Sequence, residues 1–308
     1  MSKKKKLMGN YLINAASWTN GGNLVLPFVS SIGFRTNGIK YGQDNISNTA
    51  AEDFLINSRC IRNDRESENS IQAYLEDAGL AMLSFMGDEE INTSQQTVLP
   101  TGVPLNMTLG DSMARRRSIR QYTGDTISLD YLATLLRAGS GITAEANYKL
   151  NSSDEELKLY YRTVASGGGL YPIDLYVAVN NVENLSSGIY KYHAKSDSLI
   201  RLFDKTNIDL LFAASSIHED FISLSRSNVI FLLVGHPWKS MRKYGNRGMR
   251  FMFQEAGGIS QNINLAVAAL GLGSVECASF YDNEVHKVLN FDGLYRTLVH
   301  SIIVGMPA

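Results

Sequence analysis

Six consecutive apolar residues, Val229-Ile230-Phe231-Leu232-Leu233-Val234, most constrain how this chain can fold. A run of that length, rich in β-branched and aromatic side chains, suits a buried strand. Downstream, Met252, Ala256, Ile259, Ile263, Val267 and Leu270 fall on one stripe of a long helix over 247–270. Within it the small residues Ala256, Gly257 and Gly258 would let another backbone come close. Residues 173–179 alternate as a strand, 189–192 form a second, and 297–304 a final one. Ser128 can cap a helix bearing Leu129, Leu132, Leu135 and Leu136 that ends near Gly139. Asp282 can cap another bearing Val285 and Leu289. Residues 145–160, acidic at Asp154-Glu155-Glu156, read as a mobile loop. This order of elements is α+β and lacks the regular βαβ alternation of a dinucleotide fold.

Residues 1–110 differ in character. They are rich in Asn, Ser and Thr, with turn signals at Asn20-Gly21-Gly22 and Asn37-Gly38. Helical patterns cover 48–60, with Thr49 as a cap and Phe54 and Leu55 apolar, and 70–85, with Ile71, Tyr74, Leu75, Leu80 and Leu83. The segment reads as an N-terminal extension packing on a main domain over 111–308, or as a small separate module.

Bulk properties exclude several function classes. The formal net charge of −1 lacks the basic excess needed to neutralise nucleic-acid phosphates. Lys3-Lys4-Lys5-Lys6 precede no long apolar run, so neither a secretory segment nor a membrane helix is expected. The lysines read as a solvated tail. Cys60 and Cys277 offer neither a disulfide framework nor metal spacing, and the five histidines are scattered. No metal is expected, and the cytoplasm is the default compartment.

Four short motifs carry the chemistry. Arg116-Arg117-Ser118-Ile119-Arg120 sets three guanidinium forks and a hydroxyl within five residues, a donor set suited to phosphate oxygens. Its plainer reading is a solvated basic helix end. Ser166-Gly167-Gly168-Gly169 can form a backbone nest for an anion or oxygen, or simply a turn. It is neither a Walker loop nor GxGxxG, since a strand follows. Lys243-Tyr244 could move a proton if burial or the neighbouring Arg242 and Arg247 lower a pKa. Otherwise it is an ordinary polar loop ahead of the long helix. Gly271-Leu272-Gly273-Ser274 ends that helix, where one glycine is expected as a cap. The second glycine and the serine could face a ring heteroatom. Neither a Ser-His-Asp arrangement nor a GxSxG elbow is present, which leaves hydrolase chemistry with little support.

In this order the motifs, together with Ala165 to Pro172 and the ending Val304-Gly305-Met306-Pro307, resemble the nitroreductase-like FMN proteins. They are most similar to the SagB-type azoline dehydrogenase branch, over about 111–307. The resemblance implies a central mixed or antiparallel sheet flanked by helices, in a homodimer with flavin sites at the subunit interface. It implies FMN, with Arg116, Arg117, Ser118 and Arg120 on its phosphate, ribityl chain and pyrimidine edge. Ser166, Gly167 and Gly168 would line the isoalloxazine, and Gly273 and Ser274 its other edge. Lys243 and Tyr244 would take the proton as hydride leaves an azoline ring. The implied partners are an azoline-containing precursor peptide and the cyclodehydratase subunits of the same pathway. Two positions depart from the family's habit: Ala165 stands where proline is frequent, and no lysine or arginine follows Arg296.

Three activities fit these residues. One is FMN-dependent oxidation of thiazoline and oxazoline to thiazole and oxazole in a ribosomally made peptide. Another is NAD(P)H-dependent reduction of nitro compounds or quinones. The third is a non-catalytic scaffold for a cyclodehydratase.

Overall fold

The computed structural model describes residues 50–59, 65–76, 96–149 and 156–308, together with the backbone of two short strands before them. The chain forms two compact units, 1–64 and 65–308. In the first, β1 (Val29–Ser30) pairs antiparallel with β2 (Gly33–Phe34), and α1 (Ala50–Asn57) follows. Thr49, Cys60, the lysine run, the turn signals at 20–22 and 37–38 and residues 77–85 lie outside the described residues.

The second unit opens with α2 (Arg65–Glu76), then β3 (Gln96–Val98), α3 (Leu109–Arg115) and α4 (Leu129–Ser140). A hairpin of β4 (Ile142–Lys149) and β5 (Glu156–Arg162) leads to β6 (Ile173–Val179), β7 (Gly188–His193) and β8 (Ser198–Phe203). Next come α5 (Lys205–Ala213), β9 (Val229–Gly235), α6 (Pro237–Tyr244) and α7 (Gly248–Ala269). The chain closes with β10 (Gly273–Cys277), α8 (Asp282–Leu289) and β11 (Thr297–Gly305).

Seven strands form one sheet in the order β10-β11-β9-β6-β7-β8-β3, and every neighbouring pair is antiparallel. β6 and β9 are buried along their whole length. Strand side chains alternate faces, which divides the apolar run between two cores. Phe231 and Leu233, with Leu175 and Val177, pack beneath α4 and α7 through Leu132, Leu136, Met252, Ile259 and Ile263. Ile230, Leu232 and Val234, with Tyr176 and Ala178, pack beneath α5 and α8 through Ile208, Leu211, Val285 and Leu289. A run apolar at every position is therefore what a central strand covered on both sides requires. Each such side chain contributes about 1.5–3 kcal/mol on burial. Truncating Phe231 would cost about 3–5 kcal/mol.

Helix signals are obeyed at several ends. Ser128 Oγ accepts from the Tyr131 N–H at 3.3 Å, capping α4. Pro237 stands in the first turn of α6. After α7, Gly271 takes φ +72°, the left-handed stop that glycine adopts freely.

Three expectations are corrected. The loop expected over 145–160 is largely the β4–β5 hairpin, pairing Glu145 with Tyr160 and Asn147 with Lys158. The polar residues obscured its alternation, because both faces of a two-stranded ribbon can be wet. Lys243 and Tyr244 are not in a loop but in the last turn of α6. Finally, the cap residue of α8 is Tyr281, with Asp282 inside the first turn. Among the described residues no helix is long and apolar enough to cross a membrane. No group of three or more His, Cys, Asp or Glu there could hold a metal ion.

Candidate active site

The motifs assemble into two clusters, one on either side of α7. The first begins where α3 stops. Thr108 caps that helix by accepting from the Asp111 N–H at 3.1 Å, and Arg116 leaves the helical conformation at φ −51°, ψ 123°. The chain then runs extended beside β10, with Ser118 bridged in parallel to Ser274. The Ile119 N–H donates to the Ser274 carbonyl at 2.8 Å. This approach needs Gly273, because a β-carbon there would lie 2.7 Å from Ile119 Cγ2. The chain continues to buried Tyr122, whose hydroxyl donates to the carbonyls of Ile119 (2.8 Å) and Ile303 (3.2 Å). Tyr122 also bridges to Pro307, and the Thr123 N–H donates to the Met306 carbonyl at 3.0 Å. Three segments distant in sequence, 116–120, 271–274 and 304–307, are thus stitched together.

Each cation in this cluster has a different situation. Arg117 turns back and donates from Nη1 to the carbonyls of Ala114 (2.9 Å) and Arg116 (2.7 Å). The Arg120 guanidinium lies 5.3 Å over the Phe221 ring. The side chains of half-buried Arg116 and exposed Ser118 make no hydrogen bond among the described residues. Ser274 is the reverse case. Its hydroxyl is buried and donates to Asn264 Oδ1 at 2.6 Å, while Asn264 Nδ2 donates to Glu276 Oε1 at 2.8 Å. What Ser274 offers beside 116–120 is backbone.

The second cluster is built on the glycine turn. Ser166 Oγ accepts from the Tyr171 N–H at 2.9 Å, and the Gly169 N–H donates to the Ser166 carbonyl at 3.1 Å. Gly168 and Gly169 both take φ +67°, and Tyr171 takes φ +46°. Arg162 supports the turn from outside: its N–H donates to the Tyr171 hydroxyl at 3.0 Å and its guanidinium covers that ring at 4.9 Å. Against the turn stand Lys243 and Tyr244. A β-carbon on Gly168 would overlap the Tyr244 hydroxyl and lie 3.1 Å from Lys243 Nζ. A β-carbon on Gly167 would lie 3.0 Å from Phe251 Cγ, and the Phe251 ring meets Tyr244 edge-on at 4.9 Å. Lys243 Nζ also lies over the rings of Tyr244 (5.3 Å) and Tyr74 of α2 (5.2 Å).

Burial sets the proton affinities here. It pushes the Lys243 ammonium down, favouring the neutral amine, and the Tyr244 phenol up, keeping its proton on. Glu255, one turn beyond Phe251 on α7, is 2% exposed. Burial pushes its carboxyl up to about 7, although the Ser166 hydroxyl and the Ile173 N–H (3.3 Å) both favour the charged form.

The start of α6 is anchored separately. His236 Nε2 is 2.7 Å from Asp174 Oδ2, and Lys191 Nζ is 3.0 Å from the same oxygen. Burial alone would raise the Asp174 carboxyl. Lys191, the His236 hydrogen bond and Lys239 outweigh it and hold the group well below the usual carboxylate range. The helix that presents Lys243 is therefore pinned to β6 at its N-cap residue, His236.

The structure thus brings Arg116, Arg117, Ser118 and Arg120 beside Gly273 and Ser274, and brings Ser166, Gly167 and Gly168 beside Lys243 and Tyr244. It does not join the two sets within one chain. Glu255 touches the glycine turn and Asn264 touches Ser274. Nine residues apart, they leave α7 on opposite sides and about 14 Å apart along its axis. Sequence reasoning missed Tyr74, Phe251 and Glu255 as part of the site. Glu255 carried a signal, a carboxylate within a stripe otherwise apolar; Tyr74 carried none.

Comparison with known proteins places these features in context. The model of the nitroreductase family matches residues 113–306. A protein of Methanocaldococcus jannaschii named as a nitroreductase is 32% identical over 181 residues, 59% of this chain and 83% of that protein. The trifolitoxin-processing protein TfxB of Rhizobium leguminosarum bv. trifolii is 28% identical over 184 residues, 58% of this chain. That match takes in 47% of TfxB, less than half its length. The fold is shared with a chain of the Escherichia coli microcin synthetase McbBCD complex bound to truncated pro-MccB17. There the TM-score is 0.51 and the identity 20%, over 84% of this chain and 92% of that one. A nitroreductase-like protein of Anabaena variabilis gives TM-score 0.57 at 19% identity, over 96% of this chain and 53% of that one.

Proposed function

This chain belongs to the nitroreductase family, and from that premise we propose that it is an FMN-dependent dehydrogenase of peptide azolines. Its reaction would convert thiazoline and oxazoline rings of a ribosomally made peptide into thiazole and oxazole. The observation that carries this reading is the closeness of Lys243 and Tyr244 to Gly168, where a β-carbon would overlap the Tyr244 hydroxyl and lie 3.1 Å from Lys243 Nζ. It sets a half-buried amine and a phenol against a glycine-lined surface, where a flat ring could be held and a C–H proton removed. The relatives named for trifolitoxin processing and microcin synthesis support the peptide-modifying role.

The donor set fits the cofactor. Arg116 and Ser118 are free to meet a phosphate, with Arg120 beside them and Arg117 holding the bend. Gly273 lets that segment lie against β10, and Ser274 fixes it through its carbonyl. Ser166, Gly167 and Gly168 offer a surface without side-chain bulk. When bound, FMN supplies the two-electron acceptor. Lys243 takes the proton from the ring carbon as the neutral amine that burial favours, and Tyr244 keeps its own proton to donate a hydrogen bond. The ring loses one hydride and one proton from its two adjacent sp3 carbons, so that two C–H bonds give way to one C=C.

Because the two clusters flank α7 on opposite sides, a homodimer would complete each site, pairing 116–120 of one subunit with the glycine turn of the other. Residues 1–110 are proposed to hold the peptide or the cyclodehydratase subunits.

The test is anaerobic incubation of purified protein with an azoline-bearing peptide, following flavin absorbance and peptide mass together. Bleaching with loss of about two mass units per ring is expected. The Methanocaldococcus relative favours a second reading, an NAD(P)H-dependent nitro or quinone reductase. Prompt bleaching by NADPH with no change in peptide mass would select it.

A further inference from the structure

We infer that Tyr74 is a positioning residue for Lys243, so that α2, which lies outside the family-matched region 113–306, is part of the active site. The inference rests on the dehydrogenase reading for its catalytic consequence, and on geometry alone for the contact.

α2 packs on α6, the helix that ends in Lys243-Tyr244. Tyr74 is 2% exposed, and its ring face lies 5.2 Å from Lys243 Nζ. One turn earlier, the Ser70 hydroxyl reaches the Lys243 carbonyl at 3.5 Å. The amine therefore has three neighbours: the Tyr74 ring, the Tyr244 ring at 5.3 Å, and Gly168, on which a β-carbon would lie 3.1 Å from Nζ. A lysine has four rotatable bonds and loses considerable rotamer freedom when fixed. The last turn of α6 and the glycine turn bound only part of the space it can sweep. The ring of Tyr74 closes off a further part and keeps Nζ on the Gly168 side. Among the described residues no carboxylate pairs with the amine, and the ring confines it through a cation–π contact weaker than an ion pair.

This assigns α2 a role that family membership does not supply. The core fold provides the lysine, and a helix preceding it fixes where the amine points.

The test compares Tyr74→Phe, which keeps the ring, with Tyr74→Leu and Tyr74→Met, which fill the space without one. Two readouts are used on flavin-loaded protein. The first is steady-state azoline oxidation. Tyr74→Leu is expected to lower kcat by about tenfold with little change in KM, and Tyr74→Phe to restore it. The second needs no turnover: acylation of Lys243 by acetic anhydride, quantified by peptide mass against exposed Lys205 as internal reference. Lys243 is expected to acylate faster in Tyr74→Leu and Tyr74→Met, and at the wild-type rate in Tyr74→Phe. Acylation unchanged in both ring-less variants, or equal in the Phe and Leu variants, would overturn the inference. If wild-type protein oxidises no azoline while the acylation pattern appears as stated, the dehydrogenase reading falls and the Tyr74 contact stands.

Discussion

Gly168 and Tyr244 meet so closely that a single β-carbon on the glycine would overlap the phenol oxygen. The glycine also holds φ +67°, a conformation that costs an L-residue about 1–2 kcal/mol. Gly168→Ala should therefore displace the Lys243-Tyr244 pair as well as strain the turn. Turnover is expected to fall by more than tenfold, while bound flavin, read from the absorbance of the desalted protein, falls far less. Full turnover in this variant would show that the contact is not part of the reaction.

The two clusters divided by α7 make a distinct prediction about subunits. Arg116→Ala should weaken flavin retention and Lys243→Ala should abolish oxidation. If each site draws Arg116 from one subunit and Lys243 from the other, mixed dimers of the two inactive variants contain one intact site. Unfolding and co-refolding equal amounts should then recover about a quarter of wild-type activity, from half the dimers each with one working site. No recovery, with mixed dimers demonstrated by mass, would place both clusters of a site in one chain.

Glu255 ties stability to pH. Its folded pKa of about 7 lies above the ordinary 4.5, so the folded state holds this proton more tightly than the unfolded state does. The resulting stability is complete below pH 4.5 and is lost as pH rises through 7, a difference of about 3 kcal/mol. Glu255→Gln keeps an acceptor for the Ile173 N–H and removes the charge. Its melting temperature should exceed that of wild type above pH 7, and the two should converge near pH 4.5. An unchanged pH slope in the variant would mean that Glu255 ionises without cost.

Asp174 acts in the opposite sense. Its folded pKa is depressed, so its contribution is present above the unfolded carboxylate value and is lost as pH falls below about 4. Asp174→Asn removes the buried carboxylate that Lys191 and His236 share and loosens the His236 end of α6. Urea unfolding at pH 7 should show a loss of about 3 kcal/mol, with the gap from wild type narrowing in acid. Wild-type stability in the variant at pH 7 would show that the cluster anchors nothing.

Periodicity and capping made much of this protein legible from its residues alone. The run 229–234 and the stripe over 247–270 report which faces must leave water, and the structure buries those faces, whereas the strand read from alternation over 173–179 is buried at every position. The order of the Arg-Arg-Ser-x-Arg, Ser-Gly-Gly, Lys-Tyr and Gly-Leu-Gly-Ser motifs was equally readable, because each is a local need for charge, hydroxyl or backbone freedom. The β4–β5 hairpin was not, since a ribbon solvated on both faces leaves no apolar alternation to find.

Tertiary structure alone decided which motifs meet. Nothing local sets Ser118 against Ser274, or Gly168 against Tyr244; the parallel bridge beside β10 and the packing of α6 and α7 do that. Proton affinities belong to the same class. Lys243 and Glu255 are ordinary groups in the chain, and their shifts come from water removed by neighbours far away in sequence. Tyr74 is the extreme case, legible only as an apolar position of a helix, whose ring reaches Lys243 because α2 lies on α6. Side-chain chemistry and local conformational preference are written residue by residue, whereas proximity across the chain and loss of solvent exist only once it has folded.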